Sequence, residues 1–339
     1  MKESVLNIKW GSYTIVIFLI MFFISPIVNA ESRKLKVQLL PFLSFAPFFI
    51  AEEEGFFREL GLEIEFVKIK GSAGPIAALM KGDLDIIAAQ VETGLLNVIA
   101  KGANVRYVAD KGYLAADGCG AYALLARKDL VESGGLSSPA DLKGRRLAIE
   151  PLTTEGYYVE KLLGQAGLTM GDITTVDLPP PVLGESLRNR SVDLVHIGEP
   201  WITRIESEGD AVVWMPVKAL LPDFQWACIV FGPNLLEKER ETGRLFMVAY
   251  LKAVLQYNEG KTNRNLEILT KHTKLDPNLL EKACWPNIRC DGKINLNSVV
   301  DYQKWVKKKG LSEGAVSQES FWDPSFVEYA AEVLTSYSE

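Results

Sequence analysis

Two short polar loops carry the residues best suited to chemistry. One holds Gln90, Glu92 and Thr93; the other, about 108 residues further on, holds Gly198, Glu199, Pro200 and Trp201. A carboxylate accepts N–H bonds and an aromatic face attracts positive charge, so this combination suits a cationic group or a nitrogen-rich ring. A buried carboxylate without a partner is costly, so each such group calls for water or a donor ligand. Catalytic arrangements are missing. The chain has no Gly-x-Ser-x-Gly, no His-Glu-x-x-His and no phosphate loop. Residues Gly118, Gly120 and Ala123 fit a loose nucleotide pattern, but they precede a strand-like run instead of opening a helix. His196 and His272 are the only histidines and have no evident nucleophile nearby, so structural roles are expected for both. With no Cys-x-x-Cys either, neither a zinc site nor a cofactor is expected.

Each loop ends a repeated unit. Leu79, Met80, Lys81, Gly82, Asp83, Leu84, Asp85, Ile86 and Ile87 lead into the first loop. Leu187, Arg188, Asn189, Arg190, Ser191, Val192, Asp193, Leu194 and Val195 lead into the second. In both, a helix pattern gives way to a short apolar run and then to the polar loop. The pair Gly61 and Leu62 is echoed at Gly167 and Leu168. Two similar α/β halves imply two lobes, and a cleft faced by two sets of strand-end loops is a place to hold a small molecule.

The elements that would position these loops follow from periodicity. Strands are expected at 35–40, 62–69, 84–89, 105–109, 146–150, 174–178, 194–197, 212–215 and 226–231, with a long strand-like passage over 112–126. Pro47 opens a helix, where its missing N–H costs nothing, and Thr153 with Thr154 caps another. From Leu235 onward the pattern is helical. Strand–helix alternation implies mostly parallel sheets. The chain is expected to cross between lobes near 121–127 and again near 226–231, which makes a hinge.

The remaining features concern export. Lys2 and Lys9 precede an apolar stretch from Tyr13 to about Ile24, followed by Pro26 and by Val28, Asn29 and Ala30. This is the layout of a secretory signal peptide cleaved after Ala30, and the apolar run is shorter than the roughly 20 residues a membrane span needs. Removing residues 1–30 shifts the net charge from −6 to about −7. No basic face is implied, which argues against nucleic-acid binding. Export permits disulfides. Cys284 and Cys290 are close enough in sequence to pair easily, and Cys119 and Cys228 would pair if their two strand-like segments ran side by side.

From Pro47, Phe48, Phe49, Ile50, Ala51, Glu52, Glu53, Glu54, Gly55, Phe56 and Phe57 through Gly61 and Leu62, the chain resembles a known family. The likeness continues at Gly82 to Ile86, at Asp141 to Ile149, and at Val192 and Asp193 with Glu199, Pro200 and Trp201. The family is that of type 2 periplasmic binding proteins serving ABC importers for nitrate, taurine, aliphatic sulfonates and thiamine-pyrimidine precursors. The resemblance spans the whole mature chain in order. It implies a two-lobed α/β fold, each lobe a mostly parallel sheet flanked by helices, joined by two hinge strands. Residues 31–122 and 228–339 would form the first lobe and 123–227 the second.

It further implies a monomeric periplasmic protein that closes on a small-molecule ligand and delivers it to an ABC permease in the inner membrane. The cleft would be lined by loops 43–47, 71–75, 90–94, 150–157, 198–201 and 223–227, which contain no Lys or Arg. Candidate ligand contacts in the first lobe are Ser44, Phe45, Ser72, Gln90, Glu92 and Thr93. In the second they are Thr153, Thr154, Tyr157, Glu199 and Trp201, with Tyr113 and Trp226 at the crossings. Free N–H groups near Ser72 and Thr153 could hold an anionic or carbonyl oxygen. The carboxylates and aromatics favour a cationic, zwitterionic or amino-heterocyclic ligand such as a thiamine-pyrimidine precursor; a sulfonate, taurine or nitrate is the alternative. An enzyme of this fold, a pyrimidine synthase that consumes its own histidine and a pyridoxal cofactor, would need a His and a Lys in the cleft loops, and these loops have neither.

Overall fold

The first strand sets the pattern: Leu35 and Val37 are buried while Lys34 and Lys36 face water, the two-residue period of a strand. The computed structural model describes residues 32–69 and 73–336. The expected signal peptide, its cleavage after Ala30, and Ser72 lie outside these. Among the described residues ten strands are formed: β1 (Arg33–Gln38), β2 (Leu62–Val67), β3 (Ile86–Gln90), β4 (Arg106–Leu114), β5 (Tyr122–Arg127), β6 (Arg146–Ala148), β7 (Thr174–Val176), β8 (Leu194–Gly198), β9 (Ala211–Pro216) and β10 (Phe224–Phe231).

They make two five-stranded sheets, ordered β2-β1-β3-β10-β4 and β7-β6-β8-β5-β9. In the first, β10 is antiparallel to both neighbours while β1 runs parallel to β2 and β3. In the second, β5 is antiparallel to β8 and β9 while β6 runs parallel to β7 and β8. Each half is therefore a mostly parallel sheet with one reversed strand in the same place. The antiparallel member of each sheet is the strand that has just arrived from the other half. The 112–126 passage is thus two strands: β4 ends at Leu114, residues 115–121 cross, and β5 enters the second sheet. The return crossing is 217–223.

Both faces of the sheets are covered, which explains their near-continuous apolar strands. In the first sheet Ile86, Ala88, Ile229 and Phe231 face one cluster, with Phe246, Met247 and Tyr250 of the helix Arg240–Asn258. Ile87, Cys228 and Val230 face another cluster, which also takes Leu124, Leu147 and Leu194 from the second sheet. One core thus runs through both halves. Burying such side chains contributes about 1.5–3 kcal/mol each. Helices begin where expected: Pro47 lies in the first turn of Ala46–Glu53, and Thr153 caps Thr154–Gly164 by accepting from Glu155 N at 3.2 Å. Among the described residues no helix is long and apolar enough to cross a membrane.

The cysteines pair differently from expectation. The disulfide joins Cys119 to Cys284. Cys228 is buried in β10 opposite Ala89 and Asp110, well inside the sheet, while Cys119 lies beyond the end of β4. Cys290 is exposed and its sulfur takes a hydrogen bond from Asn258 Nδ2. The bridge instead ties the first crossing to the loop after the helix Pro277–Lys282.

Candidate functional site

The loops after β3 and β6 meet. Glu92 and Thr153 form an antiparallel bridge, and Thr93 N donates to Leu152 O at 3.3 Å. Tyr302, on the helix Leu296–Lys308, caps this contact: its hydroxyl donates to Leu152 O at 2.7 Å and lies 3.0 Å from Thr93 Oγ1. Gln90 spans the same seam, donating from Nε2 to Glu155 Oε1 at 3.1 Å and accepting at Oε1 from Thr154 Oγ1 at 2.7 Å. A polar hollow of about 580 Å³ opens beside it, lined in part by Glu92, Asn97, Thr153 and Glu313. Gln90, Glu92, Thr93, Thr153 and Thr154 are thereby brought together, bonded to one another across the seam. Gly156 makes the tight approach possible, since a Cβ there would lie 2.0 Å from Pro151 O.

Two carboxyls in this seam behave differently. Burial raises Glu155, but the adjacent His196 ring and hydrogen bonds from Glu150 N and Gln90 outweigh it, so Glu155 sits below its ordinary value. Glu150 has no such compensation. Burial first, then the charges of Glu155, Asp177 and Glu92, push it up to about 8. It is a neutral acid at neutral pH and can donate a hydrogen bond as well as accept one.

Ser44 and Phe45 face a cation that the sequence reading left out. Lys111, on β4, donates from Nζ to Ser44 Oγ at 2.7 Å, with Nζ 3.9 Å from the Phe45 ring centroid. Burial pulls its amine down to about 7, against the pull of Cys228 and Asp110. Ser44 also bonds to Tyr122, whose ring lies 4.9 Å from Trp226. The His196 ring stacks on Trp226 at 5.3 Å and places Nδ1 3.4 Å from Glu155 Oε1. A chain of side chains therefore runs from Lys111 to Glu155. It uses up Trp226, which is buried between two rings and has no free face for a ligand. The cleft loops hold no Lys and no His, yet Lys111 and His196 reach this region from strands. The signal for Lys111 was visible: a charged pair, Asp110 and Lys111, interrupts the apolar run of β4.

Other candidates serve the frame. Glu199 accepts from Thr203 N at 3.1 Å, Thr203 Oγ1 at 2.8 Å and Cys284 N at 3.0 Å, and its own carbonyl accepts from Leu43 N at 3.0 Å. Its carboxylate is a fastening between segments, raised by burial and held down by those bonds. Tyr157 packs among Phe224, Tyr302 and Trp305. Tyr113 lies 3.7 Å from the Arg289 guanidinium, and Asp223 pairs with the same arginine at 2.6 Å. Trp201 is half-buried on a separate groove of about 470 Å³, its Nε1 donating to Pro41 O at 3.1 Å. Residues 39–42, 68–69 and 272–275 line the other side of that groove.

Residues 43–259 match the family model described as "NMT1/THI5 like". The chain belongs to the NMT1/THI5-like family. Of its relatives, a Brucella abortus (strain 2308) protein named "putative binding protein" is 22% identical over 234 residues, 68% of this chain and 69% of that one. The taurine-binding periplasmic protein of Escherichia coli (strain K12) is 26% identical over 155 residues, 45% of each chain. Among solved structures, the periplasmic nitrate-binding protein of Synechocystis PCC 6803 superposes with a TM-score of 0.71 at 14% identity, covering 90% of this chain and 89% of that one. A desulfurization enzyme superposes with a TM-score of 0.63 at 14% identity, covering 89% of this chain and 99% of that one. At such identities the likeness is one of fold, and this family member shares the two-lobed type 2 binding-protein architecture.

Proposed function

We propose that this chain is the solute-binding component of an ABC importer, working in the periplasm as a monomer and not as an enzyme. The observation that carries the reading is the seam. Two similarly built halves meet at hydrogen bonds of Glu92, Thr93, Gln90 and Glu199 and along a shared apolar core, and are joined by the crossings 115–121 and 217–223. Closure about those crossings would trap a ligand that contacts both lobes, and the ligand would shift the population toward the closed form recognised by a permease.

Within this role the ligand is a small anion or zwitterion of the taurine, sulfonate or nitrate kind. The names of the taurine- and nitrate-binding relatives support that class. So does the state of the carboxylates: Glu155, Glu199 and Asp223 already have partners in the protein. Glu150 favours a second reading, an amino-heterocyclic or cationic ligand, because its carboxyl has burial to overcome and no cation beside it. A melting-temperature screen separates the two. A ligand at 100 times its dissociation constant adds about 2.7 kcal/mol of stability. Stabilisation by taurine, ethanesulfonate or nitrate supports the first reading; stabilisation by aminopyrimidines or betaines, lost in Glu150→Gln, supports the second. No stabilisation by any solute across a broad panel would sink the binding role.

A further inference from the structure

The groove at Trp201 has a composition the polar seam lacks. Leu39, Phe42, Phe49 and Trp201 give it apolar walls, and among the described residues no carboxylate lines it. Its rim is basic: Lys68, Arg204 and Lys274 stand around the opening, and Lys68 and Lys274 have no ion-pair partner among the described residues. The walls are held by contacts within the protein. His272 stacks on Phe49 at 4.7 Å and is anchored to Glu53 Oε1 at 2.7 Å, an acid that also takes Lys271. Trp201 is fixed by its bond to Pro41 O, with the Arg204 guanidinium 5.4 Å from its ring. Its volume of about 470 Å³ falls in the range of about 300–1,000 Å³ usual for small-molecule sites. The lining also comes from both halves: Pro200, Trp201 and Arg204 follow β8, while the remainder belongs to the loops after β1 and β2, to Phe49 of the helix Ala46–Glu53, and to the end of the helix Asn263–Thr273 with the two residues after it.

We infer that this groove binds an organic oxyanion with a flat apolar body, a carboxylate or sulfonate on a ring-sized hydrocarbon. The body lies along Phe42 and Trp201, and the anionic head meets Lys68 and Lys274 at the rim. An inorganic anion would leave the apolar walls empty, and an organic cation would be repelled by the rim. This deepens the solute-binding reading and rests on it, because an occupant touching both halves favours the closed form.

The test is titration of the purified protein with naphthalene-2-sulfonate by calorimetry, with X-ray scattering in parallel. The sulfonate is expected to bind, 2-naphthylmethylammonium is not, and Trp201→Ala should weaken binding about tenfold or more. The surface double variant Lys68→Ala/Lys274→Ala, which removes no buried contact, should weaken it similarly and flatten its salt dependence. Equal binding of the cation, or unchanged affinity in both variants, overturns the groove assignment. Two further outcomes separate it from the closure reading. Trp201-dependent binding without compaction in scattering retains the groove and overturns closure. Compaction by some other solute, with no naphthalenesulfonate binding, does the reverse.

Discussion

Replacing Glu150 by Gln should stabilise the protein at high pH, against the usual outcome of changing a buried polar residue. The carboxyl is raised from 4.5 to about 8, chiefly by burial and then by Glu155, Asp177 and Glu92. A folded-state value above the unfolded one means that the native state binds the proton more tightly. The associated stability is fully present below pH 4.5, declines as pH rises, and is gone once pH passes about 8. At 1.36 kcal/mol per pH unit the whole effect has a ceiling of about 4–5 kcal/mol. The seam can open and admit water to the ionised group, so the observed effect should be about half of that. Gln mimics the protonated acid and does not titrate. Urea unfolding of parent and variant at pH 5 and pH 9 should show a small gap at pH 5, growing to about 2 kcal/mol in favour of the variant at pH 9. A gap that stays constant with pH, or a variant less stable at pH 9, refutes the claim that Glu150 sits uncompensated in the seam.

Three other outcomes are expected. Gly156→Ala should lower stability by more than about 2 kcal/mol and displace the 150–155 loop, because the new Cβ would meet Pro151 O, a backbone atom that cannot swing aside; thermal melts and amide exchange of that loop would report it. Trp226→Ala should cost about 3–5 kcal/mol in denaturant unfolding, and Trp226→Phe much less, since Tyr122 and His196 pack on both faces of the indole. Non-reducing peptide mapping should recover Cys119 linked to Cys284, with Cys290 alkylated in the native protein and Cys228 only after unfolding. Losing that bridge should cost about 2–5 kcal/mol.

Much of the fold was legible because its signals are local. Apolar strands such as Leu194–Gly198 are bounded by turn residues, and Pro47 and Thr153 act within a single turn of helix. The two-lobe plan was legible because it is repeated. What stayed hidden depends on who meets whom in three dimensions. Glu199 looked like a ligand acceptor until Cys284 N arrived from 85 residues away. Trp226 looked like a stacking platform until Tyr122 and His196 covered both its faces. The disulfide follows the same rule: nearness in sequence favoured Cys284 with Cys290, but the folded chain carries Cys284 to the first crossing. The 112–126 passage read as one strand because both of its parts are apolar and buried; that the parts belong to different sheets is visible only from pairing.

These details bear on how much a ligand must contribute. The seam bonds of Leu43, Gln90, Thr93 and Thr154 are each worth about 0.5–1.5 kcal/mol net, since opening returns the same groups to water. Set against them is the burial of Glu150, which by the linkage above opposes closure increasingly as pH rises. Under the proposed closure these two contributions oppose one another, and the apolar core shared by both halves adds to the side of the closed form. A shift from 1:99 to 99:1 would need about 5.5 kcal/mol of preferential binding, and a smaller starting imbalance needs less. Under the proposed closure a ligand supplies that preference by touching both lobes. Its effect should also be larger at pH 8 than at pH 6 when it offers Glu150 a donor, and independent of Glu150 when it binds only at the basic groove.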